Sequence, residues 1–142
     1  MQTAVVNESG AEVMYGDVTN VAGQTLTTGN AVSICTLAAS VNGNNAVLSQ
    51  DNNRRSFAGI AAEDIADTAS GRVIFSGYAA STLVFAVGTS VTLTLDDACG
   101  PGEVASLGVN STGLDDTYGP VIALETITTS ADTYFRCWVR AM

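Results

Sequence analysis

Apolar residues alternate with polar ones along much of the chain. Valine and leucine alternate with threonine in residues 91–95, and Phe135, Cys137 and Val139 are in phase near the C-terminus. This alternation places the apolar side chains on one face of a β-strand. The only helical pattern, at residues 61–69, would form a single turn, so the chain is predicted to be all-β. Further strands are predicted at residues 31–35, 46–49, 57–62, 72–78, 103–107 and 120–127.

The composition agrees with an all-β fold. Val, Ala, Thr, Ser and Gly are abundant, and 14 glycines supply turns and bulges. A chain of 142 residues forms one domain and buries about two thirds of its unfolded surface. Residues 1–23 have weak periodicity, so we expect an extended N-terminal arm that adds a strand to a neighbour. The domain is then residues 24–142.

The charge of the chain argues against several classes of function. The net charge is −9, the pI is about 4.1, and all five cationic residues are arginines. A chain this acidic is repelled by phosphate backbones, so we expect no nucleic-acid partner. The chain has no histidine, which removes the commonest general base and metal ligand. We therefore predict a protein that is not an enzyme and has no cofactor or metal.

The N-terminus and the cysteines indicate where the protein is made. The first ten residues have neither a basic segment nor a long apolar run, so we expect no signal peptide and no membrane partner. Cys35, Cys99 and Cys137 are odd in number and form no Cys-x-x-Cys pair. Buried, inert thiols in a reducing cytosol are the expected interpretation.

One phrase of the sequence occurs twice. Residues 59–65 and 121–127 share Ile, Ala, Glu and Ile in register, and a turn and a strand follow each copy. Upstream, residues 28–35 and 87–94 each combine a glycine turn with an alternating strand. Two such halves bury their apolar faces against each other and remove exposed sheet edges. We predict a small β-barrel or jelly-roll-like sandwich built from two similar halves.

The repeated glutamates allow two interpretations. Glu63 is expected to pair with Arg72, and Glu125 with Arg136, each across one turn. The alternative is a glycan-active enzyme in which Glu63 and Glu125 line one cleft as a carboxylate pair. The Asp doublets at 96–97 and 115–116 lack the spacing of a calcium loop and are predicted to be solvated turn residues.

Several short motifs together resemble the small capsid decoration, or cement, proteins of tailed bacteriophages. The resemblance covers roughly residues 24–140. Each motif begins with a glycine and contains a valine or an isoleucine, and two of them end in Ile-Ala-x-Glu. The matching segments are Gly59–Glu63, Gly71–Val73, Gly88–Val91, Gly102–Val104 and Gly119–Glu125.

The resemblance implies a viral structural protein that binds the exterior of an assembled capsid lattice and stabilises the head. Its expected partners are itself, as a homotrimer, and the major capsid protein. The expected location is the outer capsid surface of the virion, after synthesis in the host cytoplasm. The arm and the one basic doublet are the candidate contact regions. The candidate interface residues are Val5, Val6, Val13, Tyr15, Arg54 and Arg55.

A related alternative is a virion-displayed receptor- or glycan-binding module, or a tail-tube or head-fibre component. An aromatic surface patch around Tyr78, Tyr118 or Tyr134 would favour the binding role.

Overall fold

A computed structural model describes most of the chain. The described residues are 3–8, 11–36, 43–49, 56–84, 91–93, 95, 98–101, 107–109, 120–131 and 133–140. Candidate contacts Arg54 and Arg55, candidate patch residue Tyr118 and both Asp doublets lie outside these ranges.

The described residues confirm an all-β fold and include no α-helix. The predicted strands at 31–35, 46–49 and 57–62 are present within one residue at either end, and the strand predicted at 72–78 is part of a longer strand at 70–84. Of the strand predicted at 103–107, residues 103–106 lie outside the described residues, and Leu107 begins the strand Leu107–Val109, β9. The strands are β1 Thr3–Glu8, β2 Ala11–Asn20, β3 Ala31–Ile34, β4 Asn45–Leu48, β5 Phe57–Ala61, β6 Ser70–Val84, β7 Val91–Leu93, β8 Ala98–Pro101, β9 Leu107–Val109, β10 Val121–Ala123, β11 Ile127–Thr129 and β12 Thr133–Arg140.

The described strands of the large sheet form two closed rings that share β6. The first ring runs β2-β4-β3-β5-β6 and returns to β2, and the second runs β6-β9-β8-β10-β12 and returns to β6. Each ring contains one parallel pair at the corresponding place, β2 with β4 and β6 with β9. The remaining pairs of both rings are antiparallel. The two rings therefore have the same topology, as expected for two similar halves.

The repeat also includes short paired segments that lie outside the large sheet. In the first half, Leu26 and Ile65 form an isolated antiparallel bridge. In the second half, β7 and β11 pair antiparallel, with Leu93 opposite Ile127. The offset from Leu26 to Leu93 is the same as that from Ala31, which starts β3, to Ala98, which starts β8.

This correspondence corrects the upstream part of the predicted repeat. The sequence comparison aligned the β3 segment with the β7 segment. In the fold, β3 corresponds to β8, because each pairs with the strand that carries the Ile-Ala motif, β5 or β10. A glycine turn before an alternating strand is too common a pattern to fix the alignment by itself.

The described residues form two hydrophobic cores. The smaller core lies in the first ring and includes Leu26, Ile65, Val18 and Val73, each at most 2% exposed. The larger core draws on both halves of the chain, and its largest fully buried side chain is Phe135. Alternate residues of β3 and β5 face different cores, so the first ring is packed on both faces of these strands. This packing holds the two rings together.

The predicted N-terminal arm is extended, but most of it belongs to the domain. Strand β2 pairs with β6 on one side and with β1 on the other, since Val13 is opposite both Gly77 and Val6. Val13 and Val18 of β2 are each 2% exposed. The boundary predicted after residue 23 therefore does not separate an arm from the domain, because residues 11–20 form a strand of the first ring.

Candidate interaction surface

The first repeated glutamate forms the ion pair predicted for it. Glu63 follows β5, and its Oε1 accepts a hydrogen bond of 2.8 Å from the backbone N–H of Arg72 in β6. Its Oε2 lies 3.4 Å from a terminal guanidinium nitrogen of Arg72. The hydrogen bond from the backbone of Arg72 is the main reason that the pKa of Glu63 is lowered.

The second repeated glutamate forms the same pair with tighter geometry. The backbone N–H of Arg136 donates to Glu125 Oε1 at 2.6 Å. Two guanidinium nitrogens of Arg136 donate to Oε2 at 3.0 and 3.1 Å. The pKa of Glu125 is lowered for the same reason as that of Glu63, chiefly by the backbone hydrogen bond from its arginine. Both predicted ion pairs are confirmed.

A tyrosine completes each pair, which the sequence analysis missed. The guanidinium carbon of Arg72 lies 5.3 Å from the ring centroid of Tyr15 in β2, within the range of a cation–π contact. In the second half, Tyr78 lies close enough to Arg136 to contribute to the raised pKa of Arg136, after the larger effects of Glu125. Since β2 and β6 occupy corresponding places in the two rings, the Tyr–Arg–Glu cluster occurs twice.

The turn after each glutamate also repeats its hydrogen bond. Asp64 Oδ1 accepts from the backbone N–H of Thr28 at 2.7 Å. In the second half, Thr126 Oγ1 accepts from the backbone N–H of Leu95 at 3.2 Å. The same backbone position is thus capped by a charged side chain in the first half and by a neutral one in the second.

This geometry suits structural roles for the glutamates better than the glycan-active alternative. A general acid in glycoside hydrolysis needs a raised pKa, and the nucleophile must be open to the sugar. Glu63 and Glu125 have lowered pKa values, and each is bonded to its own arginine and to that arginine's backbone. Each carboxylate therefore joins the end of an Ile-Ala strand, β5 or β10, to the strand paired beside it, β6 or β12.

The outward face of β12 carries aromatic and cationic side chains. Phe135, Cys137 and Val139 point into the core, so the alternate residues point outward. We call these outward residues the β12 strip, and they are Tyr134, Arg136, Trp138 and Arg140. Tyr134 is 53% exposed, and Trp138 lies between Tyr78 on β6 and Ile122 on β10. Tyr78 and Tyr134 of the predicted aromatic patch thus lie on this side of the sheet.

The first ring carries three exposed acidic side chains, one on strand β2 and two in the segment that follows Glu63. Asp17 lies directly opposite Arg72, next to the Glu63–Arg72 pair. Asp67 Oδ1 accepts a hydrogen bond of 3.0 Å from the backbone N–H of Gly23. Asp17, Asp64 and Asp67 are all exposed, and we call these three residues the first-ring acidic surface.

The candidate interface residues fall into different environments. Val13 is buried in the larger core, so it is unavailable for a surface contact and that assignment is wrong. Tyr15 is half-buried against the same core and contacts Arg72. Val5 and Val6 lie in β1, opposite Met14 and Val13 of β2.

Strand β1 is the one strand of the large sheet whose described residues pair on one side only, with β2. Its outer backbone edge is therefore available for pairing.

Cys35 and Cys137 are free thiols in buried positions. Cys35 and Cys137 are at most 2% exposed, and burial raises the pKa of the Cys137 thiol to about 11. Such a thiol is protonated at neutral pH and unreactive, in agreement with the inert role predicted for it.

Searches for a metal group and for a membrane-spanning helix were negative for the described ranges. No group of three or more Cys, Asp or Glu side chains there has the arrangement needed to hold a metal ion. No helix in the described residues is long and apolar enough to cross a bilayer.

A scan against protein-family models and a search of curated proteins gave no match to this chain.

Proposed function

We propose that the protein is a capsid decoration protein of a tailed bacteriophage, which binds the exterior of the assembled head and stabilises it. The observation that carries the proposal is the open edge of β1, since the other described strands of the large sheet are paired on both sides. The described strands form two closed rings, and β1 offers its outer edge for a strand from another protein. Strand addition of this kind supplies backbone hydrogen bonds along the whole contact.

The surface chemistry of the described residues supports a binding role over a catalytic one. Both repeated carboxylates are held in ion pairs with lowered pKa values. The exposed β12 strip combines tryptophan, tyrosine and arginine, the residue types that dominate the energetics of protein interfaces. Many identical copies on a lattice make each modest contact effective through avidity.

The test is binding to heads assembled from the major capsid protein of the same virus without the decoration protein. Full-length protein and a variant lacking residues 1–8 are each mixed with the heads and separated by sedimentation. The shorter variant removes β1 and leaves every strand of both rings in place. An exposed Ala66→Ser variant is the control.

We expect the full chain and Ala66→Ser to co-sediment with the heads, and the variant lacking β1 to remain in the supernatant with an unchanged unfolding midpoint. Full-length protein that does not bind the heads would overturn the proposed function. Equal binding by the shorter variant would exclude β1 as the contact.

A second candidate is a virion-displayed glycan-binding module, favoured by one observation. Tyr134 is 53% exposed on the same face as Trp138, and sugars stack on exposed aromatic rings. Binding of the full-length protein to an array of bacterial-surface oligosaccharides, lost in Tyr134→Ala, would support this candidate. Absence of binding to every oligosaccharide would exclude it for the set tested.

A further inference from the structure

The two halves share a scaffold but differ in charge at corresponding surface positions. The first-ring acidic surface consists of Asp17, Asp64 and Asp67. The turn positions that correspond to Asp64 and Asp67 are Thr126 and Thr129, which are neutral. The β6 positions that correspond to Asp17 are Ala80 and Ser81, also neutral.

The opposite difference in charge occurs along the strand that carries the arginine of each cluster. On that strand, the second half has the cationic and aromatic residues. Arg72 of β6 corresponds to Arg136 of β12. Counting from these arginines, Ser70 corresponds to Tyr134 and Ser76 to Arg140. The second half has therefore gained an aromatic and a cationic residue where the first half has serines. One duplicated framework thus presents an acidic surface on one ring and an aromatic, basic strip on the other.

The charge of Arg140 is open to an external partner. The ion pairs of the described residues are Glu63–Arg72 and Glu125–Arg136, and neither includes Arg140. Arg140 is exposed at the end of the β12 strip, beside Trp138. A cation next to a large aromatic ring suits a contact with a carboxylate, since the ring supplies buried area and the cation supplies direction.

The first-ring acidic surface has the properties that such a contact needs. Backbone N–H groups of Thr28 and Gly23 fix the carboxylates of Asp64 and Asp67, so little side-chain entropy is lost on binding. Glu63 is already neutralised by Arg72. The three aspartates therefore give this surface a net negative charge among its described residues.

We propose that the β12 strip of one copy binds the first-ring acidic surface of a second copy. The occupant is a second copy because the complementary charge lies on the same molecule, at positions where the two halves have diverged. Contact between the strips of two copies would leave the charge of Arg140 without an acidic partner, because the charge of Arg136 is already paired with Glu125. The contact is head-to-tail, and such contacts close into a small ring where the rotation between copies permits.

This inference deepens the proposed function by naming the surfaces through which neighbouring decoration proteins touch. It does not use the edge of β1, so it is tested separately from binding to the head.

The experiment is a charge exchange measured by analytical ultracentrifugation. The proteins are full-length wild type, Asp17→Arg, Arg140→Asp and the double variant that carries both changes. A matched control, Thr128→Asp with Ser130→Asp, gives the same net charge change as Arg140→Asp at exposed positions outside the strip. Unfolding midpoints are measured for all five, because a variant that fails to fold is uninformative about binding.

We expect the wild type and the control to self-associate at about 50 mM salt and to weaken at about 500 mM salt, where exposed charges are screened. Each single variant should associate about tenfold more weakly or worse, as expected for loss of a close interfacial charge pair. The double variant should regain most of the affinity, because the exchanged charges again face each other. An equimolar mixture of the single variants should also associate, since each mixed contact is complementary.

Three results would overturn the inference. A wild type that stays monomeric at low salt would do so, and so would an Arg140→Asp variant that associates like the wild type. A folded double variant that is no better than the single variants would show that the two sites do not meet. A wild type that is monomeric yet binds heads would retain the proposed function while removing this contact.

Discussion

The two rings have the same strand order, but the described residues that form their cores differ in burial. In the first ring, Leu26 and Ile65 meet in a bridge and are at most 1% exposed. At the corresponding place in the second half, Ile127 is only half-buried and lies in the two-stranded sheet with β7. Among the described residues, the first ring thus has a core of its own, whereas those of the second ring belong to the larger core that both halves share.

The difference shows what was retained when the scaffold was repeated. Both halves contain a glutamate paired with an arginine. A tyrosine lies beside that arginine in each half. These residues join strand ends and define the ring. The surface charges around them were not retained, and their difference is the basis for a contact between copies.

The largest expected effect compares deletion of a strand of the first ring, β2, with deletion of the edge strand β1, which lies outside the ring. Removing residues 1–23 deletes β2 together with Val13 and Val18, so we expect no cooperative unfolding transition. Removing residues 1–8 deletes only the edge strand, and cooperative unfolding should persist. Circular dichroism during urea titration measures both. A cooperative transition in the shorter of the two proteins would mean that the first ring closes without β2.

Truncating one large side chain in each core tests the separation of the cores. Leu26→Ala should cost about 2–5 kcal/mol and Phe135→Ala about 3–5 kcal/mol, from lost burial and the cavity left behind. Hydrogen exchange should localise the Leu26→Ala effect to the first ring, while Phe135→Ala should lower protection in both halves. Identical exchange profiles for the two variants would contradict the presence of a separate first-ring core.

A single glycine tests the contact between the halves. Gly29 has a φ of +90°, and a Cβ added there would lie 2.9 Å from Cε1 of Tyr134. Gly29→Ala should therefore cost about 1–3 kcal/mol through backbone strain and displacement of the ring. Gly23→Ala is the control, because Gly23 also has a positive φ but has no atoms within 4 Å of an added Cβ. Equal losses of stability in the two variants would attribute the whole effect to the backbone.

The smallest expected effect compares the two glutamate pairs. Glu63→Gln and Glu125→Gln should each cost at most about 1 kcal/mol, since the ion pairs are exposed. The loss should be greater for Glu125, whose carboxylate accepts two side-chain bonds from Arg136. Urea midpoints at neutral pH measure both, and a greater loss for Glu63→Gln would contradict the ranking.

The same glutamates give a pH dependence of known sign. Both have pKa values below the ordinary 4.5, so their stabilisation is present above that pH and is lost as the pH falls through the folded values. The wild type should therefore lose more stability than either Gln variant on acidification below about pH 4.5. Parallel curves for wild type and variants would show that these carboxylates are not linked to folding.

Local pattern was sufficient to predict β3, β4, β5, part of β6, β12 and the two ion pairs. The alternation at Phe135, Cys137 and Val139 fixes which side of β12 is buried, and each Glu–Arg pair spans one turn. Strand β2 was misjudged because its polar residues hide the two valines that face the cores. The ring closures depend on pairs between distant segments, such as Val84 with Leu107, which no local pattern encodes.

The corresponding tyrosines were missed for a related reason. Tyr15 and Tyr78 are 63 positions apart, whereas the two glutamates are 62 apart and their arginines 64. An alignment without gaps cannot match all three. The Thr-Leu-Thr segment at residues 25–27 recurs at residues 92–94 and marks the upstream alignment of β3 with β8, but its offset differs from that of the tyrosines.

The proposal that the protein stabilises a viral head is tested most directly by the temperature at which undecorated heads disrupt. Heads are heated with and without saturating full-length protein, and with the variant lacking residues 1–8, while release of their contents is followed by fluorescence. We predict that the full chain raises the disruption temperature and that the variant without β1 leaves it unchanged. An unchanged disruption temperature in the presence of saturating full-length protein would contradict the account.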